Sequence, residues 1–104
     1  LFRSVLEIVV DSIAALLRSS DSFGRIGGEE FAIILPETDG ESAALIAERL
    51  RSAVENATLS VPVSISLGVT AFSPDDLTLA SLLRRADEAL YRAKENGRNR
   101  VEKI

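Results

Sequence analysis

The stretch from Ser22 to Leu35 restricts the fold more than any other part of the chain. Two short apolar runs, Ser22 to Ile26 and Phe31 to Leu35, are separated only by Gly27-Gly28-Glu29-Glu30. Runs this short, broken by a glycine pair, turn back on each other, so a β-hairpin is expected with the break at its tip. The tip also raises a chemical question. Adjacent carboxylates repel, and their proximity is useful only when something cationic sits against them.

The hairpin lies between helical patterns. From Leu1 to Arg18, Phe2, Val5, Leu6, Val9, Ile13, Leu16 and Leu17 recur at three- and four-residue spacings, the stripe of an amphipathic helix. The pattern is already helical at its first residue and shows no cap, as if the sequence began inside an element. Pro36 ends the second apolar run, and Thr38-Asp39-Gly40-Glu41 fits a capping box for a helix reaching about Glu55, with Ile46, Leu50, Ala53 and Val54 turned inward. Val61, Val63, Ile65, Leu67, Val69 and Ala71 then alternate with more polar residues, which predicts a strand; Pro62 falls near its start, where a missing N–H costs least. Thr78 can cap a third helix with the stripe Leu79, Leu82, Leu83, Ala86, Ala89, Leu90 and Ala93, Gly97 closes it, and Arg100 to Ile104 reads as a last short strand. The order α-β-β-α-β-α-β predicts an α+β domain, one sheet with helices packed on it.

Composition narrows the chemistry. With 104 residues, 46% hydrophobic and 27% charged, one globular domain or most of one is expected. Without Cys or His, thiolate chemistry, the usual zinc sites and the commonest general base are excluded, which leaves carboxylates, Lys, Arg and backbone groups. A net charge of -4, from 16 acidic and 12 basic residues, argues against a nucleic-acid-coating surface. The apolar stretch "VLEIVV" is interrupted and too short to span a bilayer, and the sequence opens without signal-peptide regions, so a cytoplasmic domain without membrane contact is expected.

Four motifs, "RIGGEEF" followed by "AIILPETD", then "SISLGV", then "RRADEALYRAKENGRNRV", occur in one order over nearly the whole chain. Together they resemble the GGDEF domain of diguanylate cyclases, in the variant spelled GGEEF. The resemblance implies a palm-like fold of the nucleotidyl cyclase, ferredoxin-like type. It implies condensation of two GTP molecules into cyclic di-GMP across a homodimer with Mg²⁺ or Mn²⁺, and an upstream sensory or receiver domain. It also implies roles at the tip: Gly27 and Gly28 let backbone N–H groups approach phosphate without a Cβ in the way, Glu30 is a metal ligand, and Glu29 binds metal and helps deprotonate the attacking 3′-hydroxyl.

Lys94 and Arg98, four apart, are expected on one face at the end of the last helix. The helix dipole alone would favour cations there, whereas the resemblance implies that they hold the triphosphate. Arg18-Ser19-Ser20-Asp21 matches the family's inhibitory RxxD site, with five residues between Asp21 and the glycine pair. At that site Arg18 would stack on and hydrogen-bond a guanine of cyclic di-GMP while Asp21 accepts from the base, and Arg49 of a partner subunit would complete the contact. As a bare pattern, Arg18 and Asp21 also fit a surface ion pair. Arg25 is a further candidate to face the nucleotide.

The sequence also departs from the family. The family's first strand, with its Asp-x-Asp metal motif and a guanine-reading Asn, has no counterpart, and Arg3 stands where a guanine-contacting Asp is expected. The chain is therefore expected to be an N-terminally truncated GGDEF domain, 1–104, inactive alone unless the strand comes from the rest of the protein or by swapping. Two other readings stay open, a module that binds cyclic di-GMP at the RxxD site without making it and a domain that serves dimerisation only.

Overall fold

The structure, a computed structural model, describes residues 4–104. Ser4 opens the first helix, α1 (Val5–Ala14), and its side chain accepts a hydrogen bond from the Glu7 N–H. The helix therefore does carry a cap, contrary to the sequence expectation: Ser4 and Glu7 have capping-box spacing. It is also shorter than the expected Leu1 to Arg18. Past Ala15 the chain tightens into three-residue hydrogen bonds, Leu16 N–H to Ile13 O at 3.0 Å and Leu17 N–H to Ala14 O at 3.2 Å. The expectations for Leu1, Phe2 and Arg3 lie outside the described residues.

The hairpin forms as its apolar runs dictate, with β1 (Ser22–Gly27) antiparallel to β2 (Glu30–Ile34). Ser22 faces Ile34 and Gly27 faces Glu30, and a register shift between Arg25 and Gly27 twists the ladder just before the tip. α2 (Gly40–Glu55) starts one residue later than the proposed box. Its N-cap is Asp39, whose carboxylate accepts from the Ser42 N–H at 2.7 Å, while Thr38 bonds the Pro36 carbonyl instead. An ionised acceptor makes the stronger bond to the first-turn N–H groups.

The expected strand Val61 to Ala71 is reduced to β3 (Leu67–Val69), parallel to β4 (Val101–Lys103). Alternation records which side chains pack, and Val63 and Ile65 do pack against the core, but a ladder also needs a partner backbone. β4 supplies one along three residues only. In place of one sheet, the described strands form two two-stranded ladders, β1-β2 and β3-β4. The mixed α/β architecture is otherwise the expected one.

α3 (Leu79–Glu95) is the crossover that makes β3 and β4 parallel. Thr78 caps it as expected, accepting from the Ser81 N–H. Gly97, with φ +121°, ends it, and the Arg98 N–H returns to the Ala93 carbonyl at 2.9 Å, the long bond of a Schellman cap. Two apolar centres result. Val9 and Ile13 of α1 meet Leu50 and Val54 of α2, with Phe23 and Ile33 of the hairpin against them. On the other side α3 lies so close to β3 that Ala89 and Ala93 are wholly buried, and a Cβ on Gly68 would fall 2.2 Å from the Ala86 carbonyl oxygen.

The loop before α3 is held by one ion pair. Asp76, 3% exposed at its side chain, accepts from Arg85 and from the Ser73 N–H at 2.7 Å, and Arg85 reaches on to the Ala71 carbonyl at 2.6 Å. The Arg85 hydrogen bond, then the Ser73 N–H, lowers the Asp76 pKa to about 2. A depressed carboxylate stabilises the fold above its unfolded pKa, and that contribution is lost as pH falls through the folded value. Asp76→Asn should therefore be less stable than the parent near neutrality, with the difference closing between about pH 5 and about pH 2. Thermal melts across that range check this, and parallel curves would count against it.

Candidate functional site

Gly28 leads the two-residue turn at the hairpin tip with φ +50°, a conformation a side chain would strain. The turn leaves Glu29 exposed and starts β2 on Glu30. Across the tip, Arg25 Nε donates to the Gly28 carbonyl at 2.6 Å, which holds the glycine pair in place.

From the far end of the sequence, α3 brings Lys94 to this tip. Its Nζ lies 3.9 Å from Glu30 Oε1, with both side chains between a third and a half exposed. Such a loose, solvated contact contributes little to stability. It does place a cation beside the Glu30 carboxylate, an arrangement that can take a phosphate on one side and a divalent cation on the other. Among the described residues no group of three or more acidic or metal-ligating side chains gathers to hold a metal by itself.

Arg98 does not share a helix face with Lys94. α3 ends at Glu95, and Arg98 stands beyond Gly97 in a left-handed turn, with φ +63°. Four-residue spacing implies a shared face only while the helix continues, and Gly97 stops it.

A hollow of about 260 Å³ opens between α1 and the hairpin, lined by Leu6, Glu7, Val10, Asp11, Arg25 and Phe31. Its lining combines the apolar Leu6, Val10 and Phe31 with the charged Glu7, Asp11 and Arg25. Arg25 thus contributes both to the tip and to this hollow.

Arg18 and Asp21 are brought together as expected, and they close on each other. Asp21 accepts from the Arg18 N–H at 2.7 Å and from its guanidinium at 2.9 Å, leaving the carboxylate 2% exposed. The Arg18 hydrogen bond holds the Asp21 pKa below the usual carboxylate range, and the same bond raises that of Arg18. Arg18 Nη2 also donates to the Pro36 carbonyl and the Thr38 hydroxyl, both at 3.1 Å, tying the RxxD turn to the end of β2. Arg49 is exposed on α2.

Sequence reasoning missed a polar cluster at the end of α3. Arg51 binds Glu48 and Glu55 of its own helix and also Asn99, which follows Arg98. The three- and four-residue spacings of Glu48, Arg51 and Glu55 signal helix-surface pairs. The reach to Asn99, 48 positions away, has no local signature.

Comparison with known proteins places these features in context. The family model described as "Diguanylate cyclase, GGDEF domain" matches residues 4–100. Diguanylate cyclase A of Treponema denticola is 41% identical over 102 residues, which cover 93% of this chain and 28% of that protein. The chain thus spans about a quarter of the length of the curated relatives it matches. Among solved structures, the active GGEEF domain of a Vibrio cholerae diguanylate cyclase superposes with a TM-score of 0.89 at 33% identity, covering 95% of this chain and 65% of that one. The GGDEF domain of DgcB from Caulobacter crescentus, in complex with c-di-GMP, gives 0.89 at 31% identity, with 95% and 62% covered.

Proposed function

The chain belongs to the GGDEF domain family, and on that premise we propose that it is the catalytic module of a diguanylate cyclase, joining two GTP molecules into cyclic di-GMP across a homodimer. The observation that carries this reading is the meeting of Glu30 and Lys94 at the hairpin tip. A cation and a carboxylate from distant parts of the chain converge there with almost no stabilising contact, which suits a site waiting for charge.

Magnesium is commonly held by one or two carboxylates together with substrate phosphates, and Glu29 and Glu30 offer that donor set; manganese has the same oxygen preference. When bound, the ion neutralises charge that develops on the phosphate oxygens. The chain's own residues do the rest. Gly27 and Gly28 leave the backbone N–H groups of the tip open to a phosphate, Lys94 and Arg98 hold the triphosphate, and the hollow beside Arg25 takes the base. Glu29 draws the proton from the 3′-hydroxyl of the partner's GTP, whose oxygen attacks the α-phosphorus as pyrophosphate leaves. A sensory or receiver domain elsewhere in the protein would set the approach of the two copies.

Arg18, Asp21 and a partner's Arg49 form the product site in this reading. Cyclic di-GMP would have to exchange with the contacts Arg18 makes to Asp21, Pro36 and Thr38.

The test uses the protein that carries this domain, supplied with GTP and Mg²⁺, with product followed by mass spectrometry. Lys94→Ala should raise the KM for GTP by about ten- to a hundredfold, the loss of one charged contact, while cyclic di-GMP binding measured by calorimetry stays unchanged. An unaltered KM would leave Lys94 as a cation that merely suits a helix C-terminus. Binding of cyclic di-GMP that is lost in Arg18→Ala, with no product formed from GTP, would favour the alternative of a receptor module.

A further inference from the structure

The turn that carries Arg98 is unusual in its backbone and in what holds it. Gly97, Arg98 and Asn99 have φ of +121°, +63° and +47°, three successive residues with positive φ, of which only the first is glycine. Asparagine tolerates that region because its short side chain can bond locally, whereas arginine does so reluctantly. Some external constraint has to keep Arg98 there.

The Arg98 N–H bonds the Ala93 carbonyl at 2.9 Å and the Arg98 carbonyl accepts from Arg100 Nε at 3.3 Å, and the side-chain contacts that tie the turn to α2 fall on Asn99. Its N–H donates to Ser66 Oγ at 3.1 Å, just before β3. Its side-chain oxygen accepts from Arg51 Nη1 at 2.9 Å, and its amide nitrogen donates to Glu55 Oε2, which itself accepts from Arg51 Nη1 at 2.8 Å. The triangle Arg51-Glu55-Asn99 is thus closed. Arg51 is in turn gripped by both oxygens of Glu48, at 2.9 and 2.6 Å, and its side chain is only 17% exposed. A guanidinium fixed by two carboxylates of its own helix is a rigid, directional anchor. Here it acts on the residue next to Arg98.

We propose that Asn99 and Arg51 are positioning residues for GTP binding: they brace the left-handed turn against α2 and so aim Arg98. The inference rests on the reading of Arg98 as a triphosphate ligand. With the brace cut, Arg98 can relax to the ordinary right-handed or extended regions, and its side chain leaves the direction the turn gives it.

The test is a double-mutant cycle on the whole protein, reading KM for GTP and kcat separately. Arg98→Ala should raise KM by about ten- to a hundredfold. Asn99→Ala and Arg51→Ala should each raise KM about tenfold with little change in kcat, as expected when a binding group is misplaced. Asn99→Ala combined with Arg98→Ala should be no worse than Arg98→Ala alone, because a misaimed group that is already absent costs nothing more. Asn99→Gly, which keeps the backbone preference and loses the side chain, should resemble Asn99→Ala. If Asn99→Ala fails to fold, Arg51→Gln combined with Glu55→Ala removes both helix-side partners of Asn99 and carries the same test.

If KM is unchanged in Arg98→Ala, the reading of Arg98 falls. If Arg98→Ala raises KM while the Asn99 and Arg51 variants leave it alone, the brace is structural and the inference is overturned. Full additivity in the double variant, or wild-type behaviour of Asn99→Gly, overturns it as well.

Discussion

Replacing Glu30 by alanine is expected to reduce cyclic di-GMP formation on the order of 10²- to 10³-fold, the scale seen when one group that stabilises transition-state charge is removed. Glu30 is about half exposed, and its ion contact with Lys94 is 3.9 Å long. Removing it therefore costs the fold almost nothing, and the thermal midpoint should stay close to that of the parent. Glu30→Gln should lose nearly as much activity, since the amide keeps the shape and loses the charge. Steady-state rates with magnesium GTP, alongside melting curves, separate the two effects. A Glu30→Ala protein that keeps near-parental kcat would overturn the assignment of the hairpin tip as the reactive centre.

The second large effect concerns the fold. Gly68→Ala should destabilise by about 3 kcal/mol or more, because the added methyl would meet backbone atoms and not a side chain that can swing away. Its Cβ would lie 2.2 Å from the Ala86 oxygen and from the Leu90 nitrogen, and 2.8 Å from the Leu90 Cα. The usual gain of replacing a strand glycine, about 0.4–1 kcal/mol through the unfolded chain, is too small to offset this. For a domain of this size the thermal midpoint should fall by roughly 12 °C or more. Gly24→Ala is the control: it lies in β1 with nothing within 4 Å of its Cβ position and should change the midpoint by only a few degrees. Equal behaviour of the two variants would show that α3 does not press on β3 as described.

These two sites also show what the sequence made legible. The hairpin could be read because its signals are local: two apolar runs, a glycine pair, and strand ends found within a residue of those expected. Thr78 and Gly97 bound α3 for the same reason, since caps act within a few residues. Val61 to Ser66 misled, because alternation is written in side chains while strand pairing depends on a distant backbone. Arg98 misled because its spacing from Lys94 was measured along a helix that had already ended. Gly68 did carry a signal, since a glycine inside a strand pattern often marks a close backbone approach. The Arg51-Asn99 contact joins residues 48 apart and could be seen only in the folded chain.

Glu30 belongs to the hairpin ladder, and Lys94 to the helix pressed on the parallel ladder, and among the described residues no strand hydrogen bond joins the two. Side-chain packing connects them instead: Phe23 and Ile33 of the hairpin and Leu67 of β3 lie against the same cluster of Val9, Ile13, Leu50 and Val54. A nucleotide gripped from both sides binds only when both are closed, so it adds a polar link to that shared packing. At a ligand concentration a hundred times the dissociation constant, that linkage amounts to about 2.7 kcal/mol. Occupancy of the tip would then be recorded along the hairpin, as slower exchange at the β2 amides from Phe31 to Ile34.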